Sequence, residues 1–167
     1  MPPVPHNQWV TLLSDGHRSG GHGQWSGRAP SRAAWQLRLN DSVRSSPVLF
    51  EGILYVTALD GALYAIDVQT GREKWKFQTA KSIHSTPSVS GGAILFGNDL
   101  GTVYALDPKA GTKRWEFSAG AEVWASPVCL GGGVYFGSAD GKFYAIDFAT
   151  GKLRWNFSSG ARIYSTA

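Results

Sequence analysis

The sequence predicts an all-β fold, a β-propeller of four-stranded antiparallel blades, three of them complete. Three observations carry this. The first is a period of 40 residues: Trp35, Trp75, Trp115 and Trp155 keep it, as do Pro47, Pro87 and Pro127, Gly52, Gly92 and Gly132, and Tyr64, Tyr104 and Tyr144, with no insertion or deletion. The second is composition. The 167 residues include 21 Gly, 7 Trp, 6 Tyr and 8 Phe, which suits short strands, tight turns and large packing side chains. The third is that strand and turn signals fill each unit, while no segment sustains a helical period. A repeat near 40 residues with four strands per unit is the mark of a propeller blade. One blade cannot bury both of its faces, and stacking blades around an axis does so.

The elements of one unit follow in order. "VWASPVCL" reads as a first strand and "GGG" as a turn. "VYFGS" is a second strand, and "ADG" is a turn with the Asp-Gly signature. "KFYAID" is a third strand, "FATG" turns again, and "KLRWNFS" is a fourth. Full blades are expected at 43–79, 83–119 and 123–159, with the start of a fourth at 163–167. Before them "AWQLRL", residues 34–39, reads as a lone outer strand, and 1–33 as a mostly irregular lead-in. The repeat calls for Pro where Ala167 stands, and propellers close with about four to eight blades. The expectation is therefore a partial chain that begins near the start of a propeller and stops inside it. In a closed ring the lone outer strand would complete the last blade. Open blade faces would favour self-association, and assembly of several copies into a ring is the alternative.

One phrase recurs three times: "AIDVQTGREKW", "ALDPKAGTKRW" and "AIDFATGKLRW". Its Asp (Asp67, Asp107, Asp147) falls at the turn after the third strand, where a carboxylate can accept backbone N–H bonds. Its Gly (Gly71, Gly111, Gly151) can take a positive φ. Its Trp (Trp75, Trp115, Trp155) falls on the outer strand, where the ring can lie against the next blade and give its N–H to a carbonyl. These roles are structural.

The pattern A-x-D-x-x-T-G-x-x-x-W resembles the tryptophan-docking motif of the PQQ-like (pyrroloquinoline quinone) β-propeller repeat family, with Ala110 the one departure from Thr. The words "VRSSPV", "IHSTPS" and "VWASPV", and "LYVTALDG" and "VYFGSADG", look like that family too. The resemblance runs from Trp35 to Ala167, and "WVTLLSDGHRSGG" is more weakly similar to the lead-in before a first blade. It implies a propeller of seven or eight blades, not a bound quinone. Such bacterial, WD40-like repeats occur in quinoprotein dehydrogenases, an outer-membrane assembly lipoprotein and sensor domains, many of them periplasmic or secreted. For a quinoprotein dehydrogenase the resemblance would imply a catalytic Asp, calcium ligands including Glu and Asn, and commonly a disulfide between adjacent cysteines.

This chain offers little of that equipment. Cys129 is its single cysteine, so no internal disulfide exists, and its apolar neighbours suggest a buried core thiol. The repeating acids sit at turns, as do Asp60 and Asp140, while Asn98 and Asp99 break that turn's pattern in the second unit. His17 and His22 lie in "GHRSGGHG" with no third ligand in sight, so no metal site is assigned. Lys and Arg number 16 against 12 Asp and Glu, but they are dispersed, which argues against a nucleic-acid partner. No membrane span and no signal peptide can be read in the chain as given, and the compartment stays open. The expected role is therefore non-catalytic, a scaffold for a protein partner or a sensor of a small ligand, with no cofactor. The alternative is the leading part of a PQQ- and calcium-dependent dehydrogenase oxidising alcohols or sugars.

One position stands out. Arg44, His84, Trp124 and Tyr164 are again 40 apart, at the start of successive first strands, yet the chemistry changes each time. First strands line a propeller's central channel. These four residues are the candidates for a ligand site at its mouth.

Overall fold

The computed structural model describes residues 35–165. Among them the chain forms three four-stranded antiparallel sheets and no helix. The first blade is β1 (Val48–Phe50), β2 (Ile53–Thr57), β3 (Ala62–Asp67) and β4 (Glu73–Gln78). The second is β5 (Ser88–Ser90), β6 (Ala93–Gly97), β7 (Thr102–Leu106) and β8 (Lys113–Ser118). The third is β9 (Val128–Leu130), β10 (Gly133–Gly137), β11 (Lys142–Asp147) and β12 (Leu153–Ser158). Strands pair in sequence order within each blade, so the first and fourth strands are its two edges. The third and fourth strands share one irregularity, a register shift at Ala65/Ile66, Ala105/Leu106 and Ala145/Ile146. Beyond the shift, Trp75, Trp115 and Trp155 pair with the alanine of the third strand.

Two sequence expectations need correction. The first strands have three residues each, not eight, because Pro47, Pro87 and Pro127 have no N–H for a ladder. A side chain closes the sheet there instead. The Ser85 hydroxyl donates to the Gly97 carbonyl (2.8 Å) and accepts the Gly97 N–H (2.9 Å). Ser45 does the same with Thr57, and the third blade has Ala125 at this place. The other correction concerns "AWQLRL": residues 35–39 form no strand, since no strand among the described residues lies beside them.

Inner edges of neighbouring blades converge. The Ser46 N–H donates to Thr86 Oγ1 (3.1 Å), and the Ser88 hydroxyl donates to the Pro127 carbonyl (2.6 Å). Alternating side chains then fill the space between blades. Tyr55, Leu63 and Ala65 of the first blade meet Ile94, Phe96, Tyr104 and Leu106 of the second. Leu95, Val103 and Ala105 meet Val134, Phe136, Tyr144 and Ile146 of the third. Trp35 and Leu39 cover the leading face of the first blade, over Val56, Tyr64 and Ile66. The trailing face of the third blade has no such cover among the described residues: Trp155 is 48% and Phe157 65% exposed. The result is an open arc of three blades.

Candidate functional site

The outer edge carries the repeated phrase. Asp67 Oδ1 accepts the N–H groups of Gln69 and Thr70 and the Thr70 hydroxyl. Asp147 does the same with Ala149 and Thr150, while Asp107 takes two amides, since Ala110 has no hydroxyl. The other oxygen meets Lys74, Arg114 or Arg154. These donors stabilise the ionised form. Arg154 and Thr150 hold Asp147 down at about 2, and Asp67 and Asp107 are also lowered, chiefly by the amide N–H groups of Thr70 and Ala110.

Each docking ring reaches one blade forward. Trp35, Trp75 and Trp115 donate their indole N–H to the carbonyls of Val68, Pro108 and Phe148 at 2.8, 3.2 and 2.8 Å. Each ring lies against the α-carbon of Gly71, Gly111 or Gly151, whose φ is 69°, 68° or 69°. A β-carbon at Gly111 would sit 2.6 Å from the Trp75 ring. Trp155 has no following blade among the described residues.

The inner edge carries the variable row, and three of its four members touch. The His84 and Trp124 rings are 5.1 Å apart edge to face, and the Trp124 and Tyr164 rings 4.9 Å apart, tilted by 31°. Trp124 is 37% and Tyr164 43% exposed. Arg162 donates to the Tyr164 hydroxyl at 3.1 Å. Arg44 occupies the same place in the first blade and is exposed, with no hydrogen bond or ion pair among the described residues.

A fifth residue belongs to this site, and the row alone did not reveal it. Asp99 accepts the Trp124 indole N–H at 2.8 Å and lies 3.8 Å from His84 Nδ1. The signal was the break at "NDLG". In the first blade Asp60 caps the turn through the Ala62 N–H and takes the Tyr64 hydroxyl. Asp140 does both with Lys142 and Tyr144. In the second blade Leu100 stands at that place, and Asn98 Oδ1 caps the turn through the Leu100 and Thr102 N–H groups. The carboxylate is thereby shifted by one residue and turned to the inner edge. The cost is visible: the Asn98 amide nitrogen is buried without a hydrogen-bond partner.

The remaining candidates are soon placed. His17 and His22 lie outside the described residues. Cys129 is half-buried, not a full core residue, because β9 is an edge strand; burial nevertheless raises its thiol pKa. A cleft of about 340 Å³ beside Asp140, Gly160 and Arg162 does not include the aromatic row. No group of three or more His, Cys, Asp or Glu converges among the described residues, and the acids of the repeat are occupied by turn amides. These residues do not fit a calcium-bound quinone, which needs several oxygens converging on one point.

The family model described as outer membrane protein assembly factor BamB, a PQQ-repeat model, matches residues 26–87 and 80–165. The chain belongs to the PQQ-like β-propeller family. Among solved structures, this PQQ-like arc is similar to BamB from Moraxella catarrhalis, with 26% identity and a TM-score of 0.67 over 75% of this chain and 40% of that one. It is similar in fold to the quinohemoprotein alcohol dehydrogenase of Comamonas testosteroni (21% identity, TM-score 0.72, 92% of this chain and 27% of that one). The same holds for the enzyme ADHIIG of Pseudomonas putida HK5 (20%, 0.69, 90% and 26%). The chain thus spans well under half the length of each. No curated protein sequence matches it.

Proposed function

We propose that this PQQ-like propeller is a non-catalytic binding module, a scaffold for a protein partner or a sensor of a ligand, and that the inner-edge row is its contact surface. One observation carries the reading. At one 40-spaced position of the inner edge, where the chemistry changes from blade to blade, His84, Trp124 and Tyr164 come into contact as a continuous, partly exposed strip. Aromatic and Arg side chains on an open surface supply large contact area and anchoring hydrogen bonds. The match to an assembly-factor family supports the same reading.

The second reading, the leading part of a quinoprotein dehydrogenase, draws support from the fold likeness to two quinohemoprotein alcohol dehydrogenases. Among the described residues no group of three or more His, Cys, Asp or Glu converges as its calcium site would require. The test is a paired assay. The chain is mixed with PQQ and calcium and assayed for dye-linked alcohol oxidation, and a panel of peptides and small ligands is titrated against it. The module reading expects saturable binding that Trp124→Ala abolishes, and no turnover. Sustained turnover, or binding indifferent to Trp124, overturns it.

A further inference from the structure

We infer that the inner-edge row is a docking strip for an extended peptide bearing carboxylate side chains, an inference that rests on the binding-module reading and names its partner class. Shape comes first. Small ligands are held in concave sites that cover most of their surface. The rings of His84, Trp124 and Tyr164 instead follow one another at spacings of 5.1 and 4.9 Å, with Trp124 and Tyr164 exposed. An extended segment advances roughly 3.3 Å per residue, so about four residues span the three rings.

Chemistry comes second. The Trp124 N–H is already satisfied by Asp99, so the ring offers its carbon edge, and ring edges carry partial positive charge. The row is flanked by guanidinium groups at both ends. Arg44 is exposed without a partner among the described residues, and Arg162 uses one N–H on Tyr164. Because Tyr164 is the acceptor in that bond, its own O–H remains free to donate. The free groups at the ends of the strip are therefore donors on cations, which favour carboxylates in forked geometry. Three acids lie close by, and one of them, Asp140, lines a cleft with Arg162 but is taken up by the Gly120 and Lys142 N–H groups and the Tyr144 hydroxyl. Asp99 accepts the Trp124 indole N–H and lies 3.8 Å from His84 Nδ1, and its Oδ2 has no partner among the described residues and suits a peptide N–H. Glu122 acts on Arg162 without forming an ion pair with it among the described residues.

The test pans the 167-residue chain against a random octapeptide library, then measures selected peptides by fluorescence anisotropy. The expected result is enrichment of Asp and Glu. Amide counterparts of the selected peptides should bind at least tenfold more weakly. The double variant Arg44→Glu with Arg162→Glu should reverse the preference towards basic peptides, and both sites are exposed, so the fold is retained. Trp124→Phe, with the circular dichroism spectrum unchanged, should weaken binding several-fold. Peptides that depend on Trp124 but lack acidic residues would overturn this inference and leave the module reading standing. The absence of any peptide binder would overturn it as well. Turnover with PQQ would sink the module reading itself.

Discussion

Asp99 of the second blade holds the indole N–H of Trp124 in the third at 2.8 Å, and this bond fixes the central ring of the strip. Removing the carboxylate with Asp99→Ala should cost on the order of 1 kcal/mol, as for a half-exposed hydrogen bond to a charged group. It should also shift the Trp124 indole N–H resonance. Asp99→Asn keeps an acceptor oxygen and should restore most of that shift. An indole signal unchanged in Asp99→Ala would remove Asp99 from the site.

The contact of Gly111 with Trp75 predicts a large asymmetry between two glycines of similar φ. Gly111→Ala places a β-carbon 2.6 Å from the indole, whereas Gly92, at φ 71°, has nothing within 4 Å. Gly92→Ala should cost about 1–2 kcal/mol, from the left-handed backbone alone. Gly111→Ala adds a packing clash and should cost roughly 1–3 kcal/mol more. Urea midpoints of the two variants decide it; equal losses would mean that ring packing plays no part.

Glu51 is the sole non-glycine at positive φ among the described residues, at 47°, where the later blades have Gly91 and Gly131. Its ion pair with Lys109 is exposed and contributes little. Glu51→Gly should therefore stabilise by about 1 kcal/mol. Thermal melting of the variant below that of the parent would contradict the account.

The Ser85 hydroxyl replaces two ladder bonds at a buried place. Ser85→Ala should cost about 1–3 kcal/mol, because the Gly97 N–H and carbonyl lose their partner. The reciprocal change, Ala125→Ser, gives the third blade the same bridge to Gly137 and should raise its melting temperature.

Acid should loosen the outer edge. The folded chain holds Asp147 at about 2, and Asp67 and Asp107 are shifted the same way, all below the ordinary 3.8. A depressed carboxylate stabilises the fold above its unfolded value, and the contribution is lost as pH falls towards the folded value. Melting temperature should be flat above about pH 5 and fall from there to about pH 2. Asp147→Asn should flatten part of that fall.

The blade architecture was legible because its causes are local and repeated. An Asp that collects its own amides and a glycine before an outer-strand Trp act within a dozen residues and recur every 40 positions, and an Asp-Gly turn marks the first and third blades. The shortness of β1, β5 and β9 was not legible. The run "VWASPVCL" reads as one first strand, and only the hydroxyl bridge from Ser85 to Gly97 shows that a side chain finishes the sheet.

The candidate site divides the same way. The sequence by itself determined the three blades, the place of each docking Trp and the row Arg44, His84, Trp124 and Tyr164, since period alone fixes which positions are equivalent. Tertiary structure decided which of the row meet, and that Asp99 joins them. That contact crosses from one blade to the next over 25 residues of sequence. It exists because the inner edges converge while Asn98 takes over the turn-capping role that Asp60 and Asp140 fill in the other blades.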